Sequence, residues 1–286
     1  MKKGIYWLAS YPKSGNTWFR ILLANILNGT NTPLNLDNLD GSMASSRAWI
    51  NNALGFDSTY LSDDELDQLR PAIYSWYAKQ DTKINYHKIH DAYTYIDTAE
   101  PLIPASGCLG AIYIVRNPLD VAISFAHHSN ISIDMMIELM GHPSLAVPID
   151  INRHKQLRQK LLSWSHHVNS WKSASAINVL VLRYEDMLLA PFETFKKGIA
   201  FLNVDVSDAD LQRAIDNTSF NKLQQQEIEK GFKEKSRVAN RFFRKGIAGD
   251  WENTLTATQV DKLIRDHGEV MYQHGYLDQH YRPVRI

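Results

Sequence analysis

Three short apolar runs constrain this chain most: "IYWLAS" from Ile5, "AIYIVR" from Ala111 and "NVLVLRY" from Asn178. Each is followed by a polar turn and then by a helical pattern. Nearly unbroken apolar runs of strand length suit strands covered on both faces, and their alternation with helices is that of parallel strands joined by crossover helices. A fourth run, "KINYHKIH" from Lys83, is more polar and is the weaker strand candidate. The expected fold is α/β, one domain over residues 1–286, with a central mostly parallel sheet of about four to five strands flanked by helices. A 286-residue chain that is 44% hydrophobic can bury a core of that size.

Helix starts are marked by "SDDE" at Ser62–Glu65 and "TATQ" at Thr256–Gln259, both with capping-box spacing. The stretch Asp150–Ala174 reads as one long helix whose Leu157, Leu161, Trp164, Val168 and Trp171 form a core stripe at spacings of three and four. Two longer connections stand out. Residues 28–83 hold Trp49, Phe56, Tyr60, Tyr74, Trp76 and Tyr77, and insertions of this kind usually build the substrate side of a cleft. Residues 129–148, with adjacent methionines Met135 and Met136, are expected to form an ordered but mobile lid.

Charge excludes whole classes of partner. With 31 basic and 31 acidic residues nothing global attracts a nucleic acid or a membrane, so an anion site must be built from a few placed groups. The only cysteine, Cys108, leads an apolar run, which excludes a disulfide framework and a cysteine-rich metal site. The apolar run after Lys2 and Lys3 is too short for a signal-peptide core, and no segment approaches the ~20 apolar residues of a spanning helix. A cytoplasmic protein is expected.

The turn after the first run, "ASYPKSGNTWFR" from Ala9 to Arg20, is P-loop-like. A Walker-type loop, A/G-x-x-x-x-G-K-S/T, wraps phosphates in backbone amides at a helix N-terminus, its lysine reaching the terminal phosphoryl group. Gly15 and Thr17 fall in register here, but Asn16 stands at the lysine position and Lys13 lies three residues earlier. The amide nest and helix dipole are retained, so the loop suits an anion carried by a nucleotide, with Lys13 beside the bond that breaks. A plain strand-to-helix turn would use the same Ser, Gly and Asn. Trp18 fits either core packing or stacking on a nucleobase.

After the second apolar run comes "RNPLDVAISFAHH", where Arg116 stands at a strand end, Pro118 suits a first helical turn and Ser124 follows one to two turns on. A guanidinium and a hydroxyl so spaced are placed to meet one phosphate. Near the C-terminus "FFRKGIAGDWENTLT" offers Arg244 and Lys245 beside flexible glycines. Together these segments resemble the cytosolic-type sulfotransferase family: YPKSGxTW stands complete at Tyr11–Trp18, RNPxDxxxS at Arg116–Ser124 and RKGxxGDW at Arg244–Trp251.

The resemblance implies a sulfuryl donor, 3'-phosphoadenosine 5'-phosphosulfate (PAPS), and assigns roles. Lys13, Ser14, Gly15, Asn16 and Thr17 would hold the 5'-phosphosulfate; Arg116, Ser124, Arg244, Lys245 and Gly246 the 3'-phosphate. Trp18 and Phe220 would sandwich the adenine, with Thr218 and Tyr184 nearby. Lys88-Ile89-His90 looks like the family's KxH pattern, which makes His90 the base and Lys88 and Lys13 its electrostatic partners. A histidine is apt, its ordinary pKa of about 6.5 leaving it neutral at physiological pH. His87, an odd number of residues away on a strand, would point to the opposite face. His127 and His128 read as polar lining, and no metal is expected.

The acceptor is expected to be a small hydroxyl-bearing molecule held by Tyr93, Tyr95, Phe125 and the two long connections. The family's dimer motif, KxxxTVxxxE, would align with Glu252, Thr256, Ala257 and Asp261; its lysine and valine are replaced, so a monomer or weak dimer is expected. Two other readings remain: a P-loop kinase, against which Asn16 counts, and a non-catalytic adenine-nucleotide-binding protein, against which His90 and Lys88 count.

Overall fold

The computed structural model describes residues 3–29, 32–36, 39, 43–80, 82–148, 155–235 and 241–285. Its strands are β1 (Gly4–Ser10), β2 (Ile84–Ile89), β3 (Cys108–Val115), β4 (Ala146–Val147), β5 (Gln159–Lys160) and β6 (Val179–Arg183). Four of them form a central parallel sheet in the order β2-β1-β3-β6, and β4 and β5 pair antiparallel. Every apolar run read as a strand is one, including the polar fourth. That run, β2, lies at the sheet edge and pairs with β1 from Gly4↔Ile84 to Ala9↔Ile89, whereas β1 has a neighbour on each side and is buried at every residue. An edge strand has one side open, which lets its sequence be more polar.

The helices are α1 (Asn16–Asn28), α2 (Arg47–Leu54), α3 (Asp63–Gln80), α4 (Pro118–Ser129), α5 (Ile133–Gly141), α6 (Trp164–Lys172), α7 (Tyr184–Leu189), α8 (Pro191–Phe201), α9 (Asp208–Asn217), α10 (Phe220–Lys230) and α11 (Ala257–Gln273). Both capping boxes form. Ser62 N donates to the Glu65 carboxylate while Glu65 N donates to Ser62 Oγ, and Thr256 and Gln259 satisfy each other's backbone in the same way.

The chain divides into two compact units: residues 1–11, 41–113 and 142–181 in the first, and 12–40, 114–141 and 182–286 in the second. In the first, Trp7 packs on Tyr74 with ring centres 5.0 Å apart and Trp49 stacks on His87 at 4.7 Å. So α2 and α3, within the aromatic-rich connection, give that unit core. Fully buried Arg70 grips Asp91 through two nitrogens at 3.0 and 2.6 Å and donates to Tyr74 Oη at 2.7 Å. In the second unit α5 packs against α4 and α11, burying Met136, Ile137 and Met140. Within the stretch after Ser129, Ile133–Gly141 is thus helix α5, packed on its neighbours.

The long helix expected over 150–174 is not there. Residues 150–154 lie outside those described; Gln159–Lys160 form β5, Leu162 has φ 60°, and α6 begins only at Trp164, where Ser163 caps it by accepting from His166 N. Leu157 N and Leu161 N donate to Ser45 O and Leu145 O, partners far away in sequence. The five stripe residues are all core, at 0–1% exposure. Their spacing imitates one helix because a loop and a helix bury side chains into the same core.

Candidate active site

The second unit contains all three motif segments from Pro12 onward. Lys13 has φ 65° and Gly15 φ 99° where the loop turns into α1. Glycine is required at 15 on two grounds: the left-handed backbone, and a Cβ that would lie 2.6 Å from Cδ2 of Tyr184. Helix α1 starts with no side-chain cap and no acidic residue in its first turn, which leaves its N-terminal dipole for an external anion. Beside it, buried Ser14 Oγ, Trp18 Nε1 and Arg116 Nε make no hydrogen bond among the described residues. Buried polar atoms of this kind, at an uncapped helix start, fit a phosphate-bearing ligand.

The motifs are tied to one another by backbone contacts. Arg116 donates to Lys13 O and to Ile247 O, each at 3.0 Å, and its guanidinium lies 4.3 Å over the Tyr184 ring. It therefore braces the first and third motifs together. Asp120, unassigned in the sequence, accepts from Gly249 N at 2.8 Å and Trp251 N at 3.1 Å. Burial pushes its carboxyl above the usual range even with Arg116 beside it. Ser124 is half-buried on α4.

Arg244 and Lys245 both hold the Asp250 carboxylate, at 2.5 Å each. Burial opposes its ionisation, but these hydrogen bonds and charges outweigh burial and hold it below the usual carboxylate range. His127 stands near the same cluster; burial and then the Arg244 charge lower its pKa. From α10, Glu227 accepts from Phe242 N and Phe243 N at 2.6 and 2.8 Å, and Gln224 donates to Phe243 O at 2.8 Å. So anchored, Phe242 lies under Lys13, whose Nζ is 4.1 Å from the ring centre. Gly246, at φ 63°, passes so close to Phe220 that a Cβ would come within 2.0 Å of its ring. Trp18 and Phe220 pack against one apolar cluster built on Ile21, Leu36, Leu39, Leu223, Phe232 and Phe243. Trp18 also meets Tyr184 and Phe195 edge-on. Thr218 is fully buried and its hydroxyl donates to Ala214 O at 2.9 Å, closing the end of α9.

The first unit carries His90 and Lys88. Lys88 is a buried residue of β2, and its carbonyl accepts from Ala44 N at 2.9 Å. His90 follows the strand, its Nδ1 2.7 Å from Ser10 O. A carbonyl only accepts, so Nδ1 carries a hydrogen, and in the neutral ring the lone pair is on Nε2. Asp91, the next residue, is locked by Arg70, and its carbonyl accepts from Trp171 Nε1 at 3.0 Å. His167, which the sequence reading did not single out, donates Nε2–H to His90 O at 2.9 Å. His87 is buried against Trp7 and Trp49, away from such a role.

Of the residues expected to line the acceptor site, Tyr93 and Phe125 are buried, at 4% and 3% exposure, while Tyr95 is exposed. Tyr93 packs on Trp171 and its hydroxyl makes no hydrogen bond among the described residues. Thr256, in the stretch aligned with the dimer motif, caps α11. Among the described residues no helix is long and apolar enough to cross a membrane.

A family model described as a sulfotransferase domain matches residues 5–275. Dog sulfotransferase 1B1 is 33% identical over 159 residues, covering 53% of this chain and 51% of that protein. The chain thus spans about half the length of that relative. Mouse sulfotransferase 1B1 is 25% identical over 268 residues, 90% of this chain and 79% of its own. Flavonol 3-sulfotransferase of Flaveria bidentis is 26% identical over 273 residues, 90% and 78%. Among solved structures, mouse sulfotransferase SULT7A1 complexed with PAP aligns with a TM-score of 0.59 at 25% identity, over 95% of this chain and 86% of that one. Retinol dehydratase in a complex with retinol and PAP shares the fold, with a TM-score of 0.63 at 20% identity over 95% and 82% of the two chains. With the family model matched from β1 to the end of α11, the chain belongs to the sulfotransferase domain family.

Proposed function

We propose that this chain transfers a sulfuryl group from PAPS to a hydroxyl of a small-molecule acceptor, an alcohol or a phenol, with His90 as general base. The reading rests foremost on the bracing of the motif segments in the second unit: Arg116 bonds to Lys13 O and Ile247 O, and Asp120 bonds to Gly249 N and Trp251 N. The donor supplies an activated sulfuryl group and leaves as 3',5'-adenosine bisphosphate (PAP). Ser14 to Thr17 and the start of α1 would hold its 5'-phosphosulfate, with Lys13 countering the charge that grows on the leaving oxygen. Arg244, Lys245 and Gly246, with Arg116 and Ser124, would bind the 3'-phosphate, for which Arg244 and Lys245 exchange Asp250. Trp18 and Phe220 would flank the adenine, with Tyr184 and the backbone of Thr218 beside it. Nε2 of His90 would take the acceptor's proton as the oxygen attacks sulfur, and Lys88 would be its cationic partner.

The reading treats the chain as one functional domain, cytoplasmic, and a monomer or weak dimer, and assigns no metal. The structure of SULT7A1 with PAP, at 25% identity, supports the choice of donor. Replacement of His90 by Ala is expected to lower transfer from labelled PAPS at least ~100-fold, while PAP affinity by calorimetry stays within about twofold. Full activity in that variant removes His90 from the mechanism. Wild-type protein should bind PAP much more tightly than AMP, and Arg244→Ala should erase most of that difference; equal affinities would refute the 3'-phosphate site.

A further inference from the structure

We propose that His167 is the positioning residue for His90, holding it through its backbone carbonyl while the side chain is held at Nδ1. Resting on the reading of His90 as base, this adds a residue that no sequence motif marks. The chain of contacts lies wholly in the first unit and has a single consistent set of hydrogens. Tyr113 Oη is 2.9 Å from His167 Nδ1, His167 Nε2 is 2.9 Å from His90 O, and His90 Nδ1 is 2.7 Å from Ser10 O. Both carbonyls can only accept, so His167 carries its hydrogen on Nε2 and His90 on Nδ1. Nδ1 of His167 is then an acceptor, and Tyr113 donates to it. The Tyr113 hydroxyl in turn takes a backbone hydrogen bond from Tyr11.

The path begins at Tyr11 N and ends at Ser10 O, adjacent residues where β1 runs into the loop. Backbone and imidazole of His90 are therefore referenced to the same short stretch. His167 is 0% and Tyr113 1% exposed, and Tyr11 lies edge-on to the His167 ring at 5.2 Å, so neither partner can swing away without opening the core. Burial pushes the His167 pKa down to about 4, against the smaller effect of its bond to His90, which keeps the imidazole neutral and the hydrogen pattern single.

Two variants of the full chain separate positioning from plain core packing. His167→Gln keeps an Nε2–H donor; His167→Phe keeps a ring and removes both polar atoms. The first measurement is NMR of protein labelled with 15N-histidine, the His90 resonance being identified by its loss in His90→Ala. Wild type and His167→Gln should show the Nδ1–H tautomer, and His167→Phe a mixture. The second is kinetics: kcat should fall about 10- to 100-fold in His167→Phe, with KM for PAPS and PAP affinity within twofold, and recover to within about threefold of wild type in His167→Gln. Retention of both the Nδ1–H tautomer and wild-type kcat in His167→Phe overturns the proposal, as does an equal loss in both variants. If His167→Phe does not fold, Tyr113→Phe, which removes only the donor to Nδ1, should shift the His90 tautomer the same way; an unchanged spectrum there overturns it. Should His90→Ala stay active, the base assignment fails, while the tautomer spectra still decide whether His167 positions His90.

Discussion

At Gly15 backbone angle and neighbour act together, since a residue at φ 99° would carry its Cβ to 2.6 Å from the Tyr184 ring, and that ring supports the Arg116 guanidinium at 4.3 Å. Gly15→Ala therefore has to relieve left-handed strain and displace an aromatic that a motif arginine rests on. The expected cost is about 2–3 kcal/mol, read as a melting temperature lower by roughly 5–10 °C, with PAP binding weakened more than tenfold. Adding Tyr184→Leu should return part of the stability and little of the binding; recovery of both would mean the ring has no part in holding Arg116. The turn through Lys13 and Gly15 was legible in the sequence because strand, loop and helix follow one another within a few consecutive residues. His167 was not, because its partners are residues 90 and 113 and nothing local marks it.

Among elements, α4 is tied to the segment before α11 by the Asp120 carboxylate, which accepts from Gly249 N and Trp251 N at 2.8 and 3.1 Å. An asparagine there has one acceptor oxygen and turns an NH2 toward a donor. Asp120→Asn is expected to lose about 1–3 kcal/mol and, because the segment it releases carries Arg244 and Lys245, to weaken PAP binding more than AMP binding. Titration calorimetry with the two nucleotides checks this; equal losses would detach Asp120 from the proposed 3'-phosphate site. Strands and caps were readable at this scale because periodicity and capping chemistry are local: Ile5–Ser10 fills β1, and Thr256 with Gln259 closes the start of α11. The stretch 150–174 misled because Leu157 and Leu161 take their places through bonds to Ser45 and Leu145, which no window of sequence contains. Glu227, which fixes Phe242 and Phe243 from α10, escaped for the same reason.

For the whole molecule, 31 acidic and 31 basic residues leave almost no net charge near neutral pH, so stability there is governed by individual groups rather than by general repulsion. Among them His167 has a large and opposed demand. Its ordinary pKa is 6.5 and burial lowers it to about 4 in the folded chain, so the unfolded chain binds the proton first as pH falls. Unfolding free energy rises with pH wherever the unfolded state holds more protons, so the contribution is present above pH 6.5 and is lost between 6.5 and about 4. Across that window it amounts to about 3 kcal/mol. Asp250, held below the ordinary carboxylate range, also loses stability in acid, but it does so equally in wild type and in His167→Gln and cancels from their difference. Urea unfolding followed by tryptophan fluorescence, at pH 7.5 and at steps down to 4.5, should give a wild-type curve that falls more steeply than that of His167→Gln, so that any advantage of wild type at neutral pH shrinks or reverses in acid. Parallel curves would mean that the imidazole reaches solvent, and the closed path from Tyr11 through Tyr113 and His167 to His90 would then be open in solution.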